Sequence, residues 1–182
     1  MQTEKGSAKM IGKKMEEAIN RQINAEIYSA YLYFSMEAFF EAMGLKGFAN
    51  WMRVQTQEEL FHASKFYDYL NARDGRVILK AIEAPPVEWK SPLEVFEEAY
   101  KHEVKVTGLI HDLVTLALEE KDHASHQMLG WFVNEQVEEE ANASQIASEL
   151  KLIGDDKKAL LMIDRELAAR VYTPPAVAGA QP

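Results

Sequence analysis

The chain has 182 residues, of which 27% are charged, and its formal net charge is −9 at pH 7. A net negative surface repels nucleic-acid phosphates and anionic membranes, so neither is an expected partner, whereas cation binding is compatible with this charge. Cysteine is absent, so oxygen and imidazole groups must bind any transition metal, and such ligands suit iron, manganese or zinc. Neither an apolar signal segment nor a run of about 18 apolar residues is present, so we expect a cytoplasmic protein.

The first half of the chain predicts two antiparallel helices. The first helix is expected from about Ser7 to Met43, because its interior lacks proline and Gly44 is a typical C-terminal stop. The connection that follows is short, so the second helix must return antiparallel to the first. We expect this second helix from about Gly47 to Arg73.

The segment from residue 75 to residue 90 predicts a long connection instead of a helix. It follows the turn signal Asp74-Gly75 and contains Pro85-Pro86, which a continuous helix does not accommodate. An extended segment of this size spans about 50 Å, which is close to the length of the neighbouring helices. The connection can therefore cross the full height of a bundle and leave the second and third helices parallel.

The second half predicts two further long helices. The motif Ser91-Pro92-Leu93-Glu94 opens the third helix, because it combines a serine cap, a proline in the first turn and a glutamate three residues after the serine. This helix is expected to end near Lys121. Asp122 is expected to cap the fourth helix, which ends near Ile153 before the stop at Gly154.

A short fifth helix is expected from about Asp155 to Arg170, and residues 173–182 are expected to form a flexible tail. The pattern therefore predicts an all-α fold: a four-helix bundle over about residues 7–153, with a long crossover between helices two and three and a short C-terminal helix. We expect residues 1–182 to form a single domain, because this length suits one hydrophobic core.

Apolar residues recur along each long helix at alternating steps of four and three, which marks the face that packs into the bundle core. In the third helix this stripe contains Phe96, Tyr100, Glu103, Thr107, Ile110 and Val114. Polar residues interrupt the stripe near the middle of every long helix: Glu26, Glu59 with His62, Glu103, and Gln136 with Glu139. Mid-helix positions lie at similar heights in a bundle, so four glutamates and one histidine are expected in one core layer.

Buried ionised carboxylates are costly, and the interrupted stretches contain no lysine or arginine to pair with them. Two bound metal ions would neutralise four carboxylates. Glu59 and His62 lie three residues apart on one side of their helix, and glutamates combined with Glu-x-x-His form the ligand set of di-iron carboxylate bundles. A second acidic group, Glu58, Glu135 and Glu138, lies about 100° around the helices from the core face. These three residues form either a solvated acidic run or a third, weaker iron site.

Four motifs resemble those of one known family: NAEIYSAYLY at 24–33, QEELFH at 57–62, YKHE at 100–103 and NEQVEEE at 134–140. With its long crossover and short fifth helix, the chain closely resembles the non-haem ferritins of bacteria and archaea from about Ile11 to Tyr172. The resemblance implies a ferritin-like bundle that oxidises Fe²⁺ with O₂ or H₂O₂. It also implies a hollow homo-oligomer, usually of 24 subunits, that stores ferric mineral.

The resemblance also assigns roles to the residues of the core layer. It implies that Glu26 and His62 bind the first iron ion and that Glu59 bridges the two ions. Glu103 and Glu139 would bind the second ion. Iron, with two ions per subunit and a third at the acidic group beside them, is the only cofactor that the resemblance implies.

Other residues match the surroundings of that centre. Gln136 resembles the residue that orients dioxygen or a reduced product beside the site, and Tyr33 resembles the nearby tyrosine that can donate an electron. Glu58, Glu135 and Glu138 match the ligands of the family's third iron site, for which Glu139 is a candidate shared ligand.

Two related groups of proteins fit less well. Bacterioferritins carry a histidine three residues after the glutamate that corresponds to Glu139, and this chain has Asn142 there. They also carry a haem-binding methionine at the position of Leu60. Met52 is expected to face the core, so no haem is expected. Rubrerythrins need cysteine-bound iron, and this chain has no cysteine.

The residues alone leave two functions open: a ferroxidase that stores iron, or a non-catalytic bundle that sequesters zinc or manganese. Gln136, Tyr33 and the flanking acids favour the ferroxidase. A substrate-oxidising di-iron oxygenase is a weaker hypothesis, because the sequence indicates no pocket for an organic substrate. We expect the turn after the third helix to be a solvated loop, and the less favoured alternative is that it lines an iron-entry pore. The polar residues of this turn are Glu119, Glu120, Asp122, His123 and His126.

Overall fold

The computed structural model describes residues 10–174, which contain five α-helices and no β-strand. The helices are α1 Lys13–Met43, α2 Lys46–Ala72, α3 Pro92–Glu119, α4 His123–Ile153 and α5 Lys157–Leu167. The predicted all-α class, with four long helices and a short fifth one, is confirmed. None of these helices combines the length and the apolar character needed to cross a membrane.

The predicted start of the first helix is wrong by several residues. α1 begins at Lys13 instead of near Ser7, because Gly12 has extended backbone angles (φ −67°, ψ 148°) and acts as the N-cap. Residues 7–9 of the predicted helix and residues 175–182 of the predicted tail lie outside the described range.

Side-chain caps set the starts of the last three helices. Ser91 Oγ accepts a hydrogen bond from the backbone N–H of Glu94 (3.2 Å), and Asp122 Oδ1 accepts one from the N–H of Ser125 (3.1 Å). Both predicted caps are therefore confirmed. Asp156 caps α5 in the same way, so α5 begins two residues later than predicted and also ends three residues earlier.

The connection between α2 and α3 runs along α1 from its beginning to its end. Near the beginning of α1, Glu16 Oε1 accepts a hydrogen bond from the backbone N–H of Arg76 (2.8 Å). Near its end, Ser35 Oγ donates to the carbonyl oxygen of Pro86 (2.6 Å). Because α2 returns antiparallel to α1 through the left-handed turn at Gly44, this path leaves α2 and α3 parallel, as predicted.

The apolar core consists of two clusters of buried residues. One cluster lies toward the end of α1 and contains the stacked rings of Phe40 and Phe48, whose centroids are 5.1 Å apart. The other lies toward the beginning of α1 and contains the stacked rings of Phe66 and Phe132, at 3.9 Å. Glu26 falls between the α1 residues of the two clusters, so the fold creates a polar layer between two apolar ends.

The predicted core face of α3 is partly wrong, whereas the polar residues predicted to face the core from α1, α2 and α4 are all buried. Tyr100 is 37% exposed and Thr107 is only partly buried. The buried stripe runs instead through Ala99, Glu103 and Val106. With 3.6 residues per turn, steps of three and four can alternate in either order, and here the order around Glu103 is the reverse of the predicted one.

α5 packs against the beginning of α2. Asp164 Oδ1 accepts hydrogen bonds from the backbone N–H groups of Gly47 (2.8 Å) and Phe48 (3.1 Å), so it caps a helix whose own N-cap residue makes no side-chain bond. In return, Asn50 Nδ2 donates to the carbonyl oxygen of Arg170 (2.9 Å). A Cβ atom on Gly47 would lie 1.5 Å from the carbonyl oxygen of Asp164, so the close approach of the two helices requires glycine.

Candidate metal centre

Four glutamates and one histidine from the four long helices lie in the polar layer between the two apolar clusters. Their exposed fractions are 1% for Glu26, 2% for Glu59, 3% for His62, 2% for Glu103 and 6% for Glu139. Side chains of this type are almost never fully buried without a partner. The structure therefore buries every residue that the sequence analysis placed in this layer.

Glu26, Glu59 and His62 form the tightest part of the layer, since they offer ligand atoms that lie within 4.8 Å of one another. His62 Nδ1 is 3.4 Å from Glu59 Oε2. Gln22 Nε2 donates to Glu26 Oε1 (2.8 Å), whereas Glu26 Oε2 is buried and accepts no hydrogen bond from the described residues. A buried carboxylate oxygen without a donor costs free energy, and a cation at this point would satisfy it.

Glu103 is held by two neutral donors. The Tyr33 hydroxyl donates to Glu103 Oε1, and Gln136 Nε2 lies 3.2 Å from Glu103 Oε2 and 3.3 Å from Thr107 Oγ1. Burial and the nearby charge of Glu103 raise the pKa of Tyr33 well above its ordinary value, so the hydroxyl keeps its proton and can donate. Glu103 is absent from the groups of mutually close ligand atoms found among residues 10–174.

Gln55 joins α2 to α4, a role that the sequence analysis missed. Its Nε2 atom donates to Glu59 Oε1 (3.1 Å) and to Glu139 Oε2 (2.7 Å). Gln22 stands in the same relation to Glu26, since each glutamine precedes a buried glutamate by four residues, which is one helical turn. This repeated spacing is a signal in the sequence that could have identified both glutamines.

The four glutamates of the layer hold protons readily. Burial, followed by the negative charge of a neighbouring glutamate, raises the pKa of each carboxyl from its ordinary 4.5 to about 8; the four are Glu26, Glu59, Glu103 and Glu139. Among the ion pairs of residues 10–174, none joins a lysine or arginine to these carboxylates. The predicted lack of a lysine or arginine partner is therefore confirmed for the described residues, and the layer needs either protons or other cations to balance its charge.

The second acidic group lines a cavity of about 130 Å³ beside the layer. Glu58 and Glu135 are partly buried and Glu138 is exposed, as their positions off the core face predicted. Burial raises the pKa of both Glu58 and Glu135. Only Glu135 joins His62 and Glu139 in a second group whose ligand atoms lie within 4.8 Å of one another.

Arg170 reaches the same cavity from the segment after α5, and the sequence analysis gave it no role. Its Nη2 atom pairs with Glu58 Oε2 (2.5 Å), and Nη1 and Nη2 each lie 3.0 Å from Gln55 Oε1. Because these contacts depend on the docking of α5 against α2, no pattern within one helix could have indicated them.

Two residues of the polar turn between α3 and α4 form ion pairs with other parts of the chain. Asp122 pairs with Arg73 (3.1 Å) in addition to capping α4, and Glu120 pairs with Lys14 (2.7 Å). Glu119, His123 and His126, the other residues considered as pore lining, are exposed. The exposure of these three residues agrees with the favoured interpretation of this turn as a solvated loop, and the iron-entry pore stays a prediction.

A four-helix bundle with a long crossover and a core layer of glutamates and histidine defines the class of ferritin-like helical proteins. Residues 16–153 match the ferritin family, described as a ferritin-like domain, and the chain belongs to this family.

Curated relatives and solved structures agree with this assignment. A bacterial non-heme ferritin of Bacteroides fragilis (strain 638R) is 45% identical over 161 residues, which cover 88% of this chain and 100% of the relative. A bacterial non-heme ferritin of Staphylococcus saprophyticus is 42% identical over 163 residues, which cover 90% of this chain and 98% of the relative. An engineered closed form of the Archaeoglobus fulgidus ferritin is 60% identical, with a TM-score of 0.89 over 90% of this chain and 99% of that one. The open-pore ferritin of the same archaeon matches with a TM-score of 0.88, also at 60% identity, over 89% and 99%.

Proposed function

We propose that this protein stores iron and oxidises Fe²⁺ to Fe³⁺ in the polar layer of its bundle. The observation that carries the proposal is a single core layer of four buried glutamates and His62, in which no glutamate pairs with a lysine or arginine among residues 10–174. Burial and mutual repulsion raise the pKa of each of these carboxyls to about 8. Replacement of their protons by two iron ions would neutralise the layer without adding a permanent positive charge to the protein. The names of the curated relatives, bacterial non-heme ferritins, support storage of iron.

The proposed ligands divide into two sets. Glu26 and His62 bind the first iron ion and Glu59 bridges, which is supported by the mutual closeness of their ligand atoms. Glu103 and Glu139 bind the second ion. Both receive hydrogen bonds from neutral side chains, so their geometry is restrained and no ion pair with a lysine or arginine has to be broken before a metal binds.

The proposed reaction transfers one electron from each of two Fe²⁺ ions to an oxidant. With O₂ as the oxidant, two electrons and two protons yield H₂O₂ and leave two Fe³⁺ ions; H₂O₂ is the alternative oxidant. The protein contributes ligand placement and charge neutralisation, while the iron supplies the redox chemistry. Gln136, which donates to Glu103, is the proposed group that orients the oxidant. Tyr33, which also donates to Glu103, is the proposed electron donor that takes the place of one Fe²⁺ ion when only one is bound, so the oxidant still receives two electrons.

We also propose a third, weaker iron site at Glu58, Glu135 and Glu138, with Glu139 as a shared ligand. The common cavity that these four residues line supports this assignment. Partly exposed carboxylates keep some of their hydration, so they bind a cation less tightly than buried ones. Iron that leaves the layer as Fe³⁺ would pass through this site toward the interior of a hollow homo-oligomer, for which the family resemblance implies 24 subunits.

Absorbance after addition of Fe²⁺ in air tests the proposed oxidation. The intact protein should form ferric species faster than buffer does, and Glu59→Ala should slow this by at least roughly ten-fold, because loss of a bridging ligand uncouples the two ions. Glu97→Ala, a change at an exposed position on α3, is the matched control and should retain the full rate.

The same measurement separates the two functional classes. A rate for the intact protein no faster than buffer, together with stoichiometric binding of Zn²⁺ or Mn²⁺, would identify a sequestering bundle instead of a ferroxidase. A full rate in Glu59→Ala would remove the assigned bridge but leave oxidation itself in place. The variant should also remain folded, because removal of one acid from a like-charged group relieves repulsion.

A further inference from the structure

Arg170 brings a permanent positive charge to the acidic cavity beside the polar layer. It lies in the short segment after α5, and its side chain is 20% exposed. The guanidinium stacks 4.4 Å from the centre of the Trp51 ring and donates to the carbonyl oxygen of Trp51 (3.3 Å). Asn50 donates to the backbone carbonyl of Arg170 itself (2.9 Å), so both the backbone and the side chain are fixed.

The guanidinium uses its remaining donors on Glu58 and Gln55. It forms a close ion pair with Glu58 Oε2 and binds Gln55 Oε1 through two N–H groups. The Gln55 amide is thereby oriented with its oxygen toward Arg170 and its nitrogen toward the layer carboxylates. Arginine suits this place, because its planar group offers several donors and it does not lose its charge.

Glu58 is thus paired with Arg170, whereas the other ligand groups of the cavity lie close to one another. The cavity's close group of ligand atoms comprises His62, Glu135 and Glu139, and does not include Glu58. We propose that Arg170 competes with a third metal ion for the Glu58 carboxylate and so weakens binding at the third site. This inference rests on the third site of the proposed function, and it adds the residue that sets the affinity of that site.

Competition by Arg170 predicts the direction in which the metal affinity of the third site changes when the guanidinium is removed. A divalent or trivalent cation such as Fe²⁺ or Fe³⁺ must displace the guanidinium before Glu58 Oε2 can act as its ligand. A cation bound through the other oxygen of Glu58 would still be repelled by the positive charge of Arg170. Removal of the guanidinium should therefore strengthen metal binding. If Arg170 served only to hold the fold together, its loss would disorder the cavity and weaken metal binding, so the two roles predict opposite changes.

Titration with Zn²⁺, which does not change oxidation state, measures this effect on the intact assembled protein by calorimetry. Arg170→Gln should tighten the weakest zinc-binding step by roughly three- to ten-fold, the range expected on loss of a competing, partly exposed ion pair. The two tighter steps serve as internal references and should change less. Arg165→Gln removes the same charge from an exposed position on α5 and should leave the weakest step unchanged.

A double variant tests whether the gain in zinc affinity depends on the Glu58 carboxylate. In Arg170→Gln combined with Glu58→Gln, the gain in zinc affinity should disappear, because the carboxylate released by the first change is no longer present. Weaker or unchanged zinc binding in Arg170→Gln, equal tightening in Arg165→Gln, or no third zinc in any variant would each overturn the proposal. Iron oxidation by the unaltered protein is a separate readout, so failure of the proposed oxidation would be seen independently.

Discussion

At the scale of single residues, the buried carboxylates are restrained by neutral donors instead of cations. Gln22 binds Glu26, and Gln55 binds both Glu59 and Glu139. A neutral amide can fix the direction of a carboxylate without cancelling its charge, and its hydrogen bonds lower the pKa less than burial and repulsion raise it. The layer is therefore ordered before a metal arrives and still attracts one.

The raised pKa values predict release of protons on metal binding. With pKa values of about 8, the four layer glutamates of the metal-free protein are largely protonated at pH 6.5, and metal ligands must be deprotonated. Zn²⁺ added at pH 6.5 in weakly buffered solution should release between two and four protons per chain, fewer at pH 9. A pH-stat measurement that finds no release at pH 6.5 would contradict the proton-loaded layer.

The same pKa values predict how the stability of the metal-free protein depends on pH. The carboxyls bind protons more tightly in the folded chain than in the unfolded one, since their pKa is about 8 against an ordinary 4.5. Between these two values the unfolded chain loses protons first, so stability should fall as pH rises. The Tm of the metal-free protein should decrease from pH 5 to pH 8. Glu26→Gln, which cannot ionise, should reduce this slope, and an equal slope would exclude Glu26 as a contributor.

At the scale of elements, the helices and their caps were predictable because their signals are local. Asp122 and the motif at Ser91 act within one turn of the chain, and Glu26 and Glu59 each occupy a position of the apolar stripe of a single helix. The place of α5 was not predictable, because Gly47 and Asp164 meet only after the bundle forms. The assignments that failed at Tyr100 and Thr107 needed the packing of α3 against its neighbours, which the spacing of apolar residues left undecided.

The close packing of α5 on α2 predicts a large effect from one added methyl group. Gly47→Ala places a Cβ atom 1.5 Å from the carbonyl oxygen of Asp164, so α5 must shift or detach. We expect a loss of about 1–3 kcal/mol in unfolding free energy, measured by chemical denaturation. Gly130→Ala is the matched control, because Gly130 lies in α4 with no atom within 4 Å of the added carbon. It should be neutral or stabilising by about 0.5–1 kcal/mol, and equal losses in both variants would contradict the packing argument.

At the scale of the whole molecule, a chain of this size can hold a metal centre but cannot by itself enclose a mineral. The helical bundle is filled by two apolar clusters on either side of the polar layer, so stored iron must lie outside any one bundle. The outer surface carries large apolar side chains on α1 and on the connection between α2 and α3: Tyr31 is 48% exposed, Phe34 56%, Ile78 53% and Leu79 65%. Exposed apolar groups of this size favour association, and the family resemblance indicates other copies of the same chain as partners.

Light scattering should therefore give a mass many times the 20.7 kDa of one chain. Phe34→Asp places a charge on the exposed face of α1 and should shift the population toward small oligomers, because burial of an unpaired carboxylate at an interface opposes association. Phe34→Tyr retains the aromatic area and should assemble as the unaltered protein does. Both variants should keep the same helix content, since the side chain is 56% exposed within one chain. If the unaltered protein is found at 20.7 kDa, no shell exists to hold mineral, and the storage proposal fails even if the bundle oxidises iron.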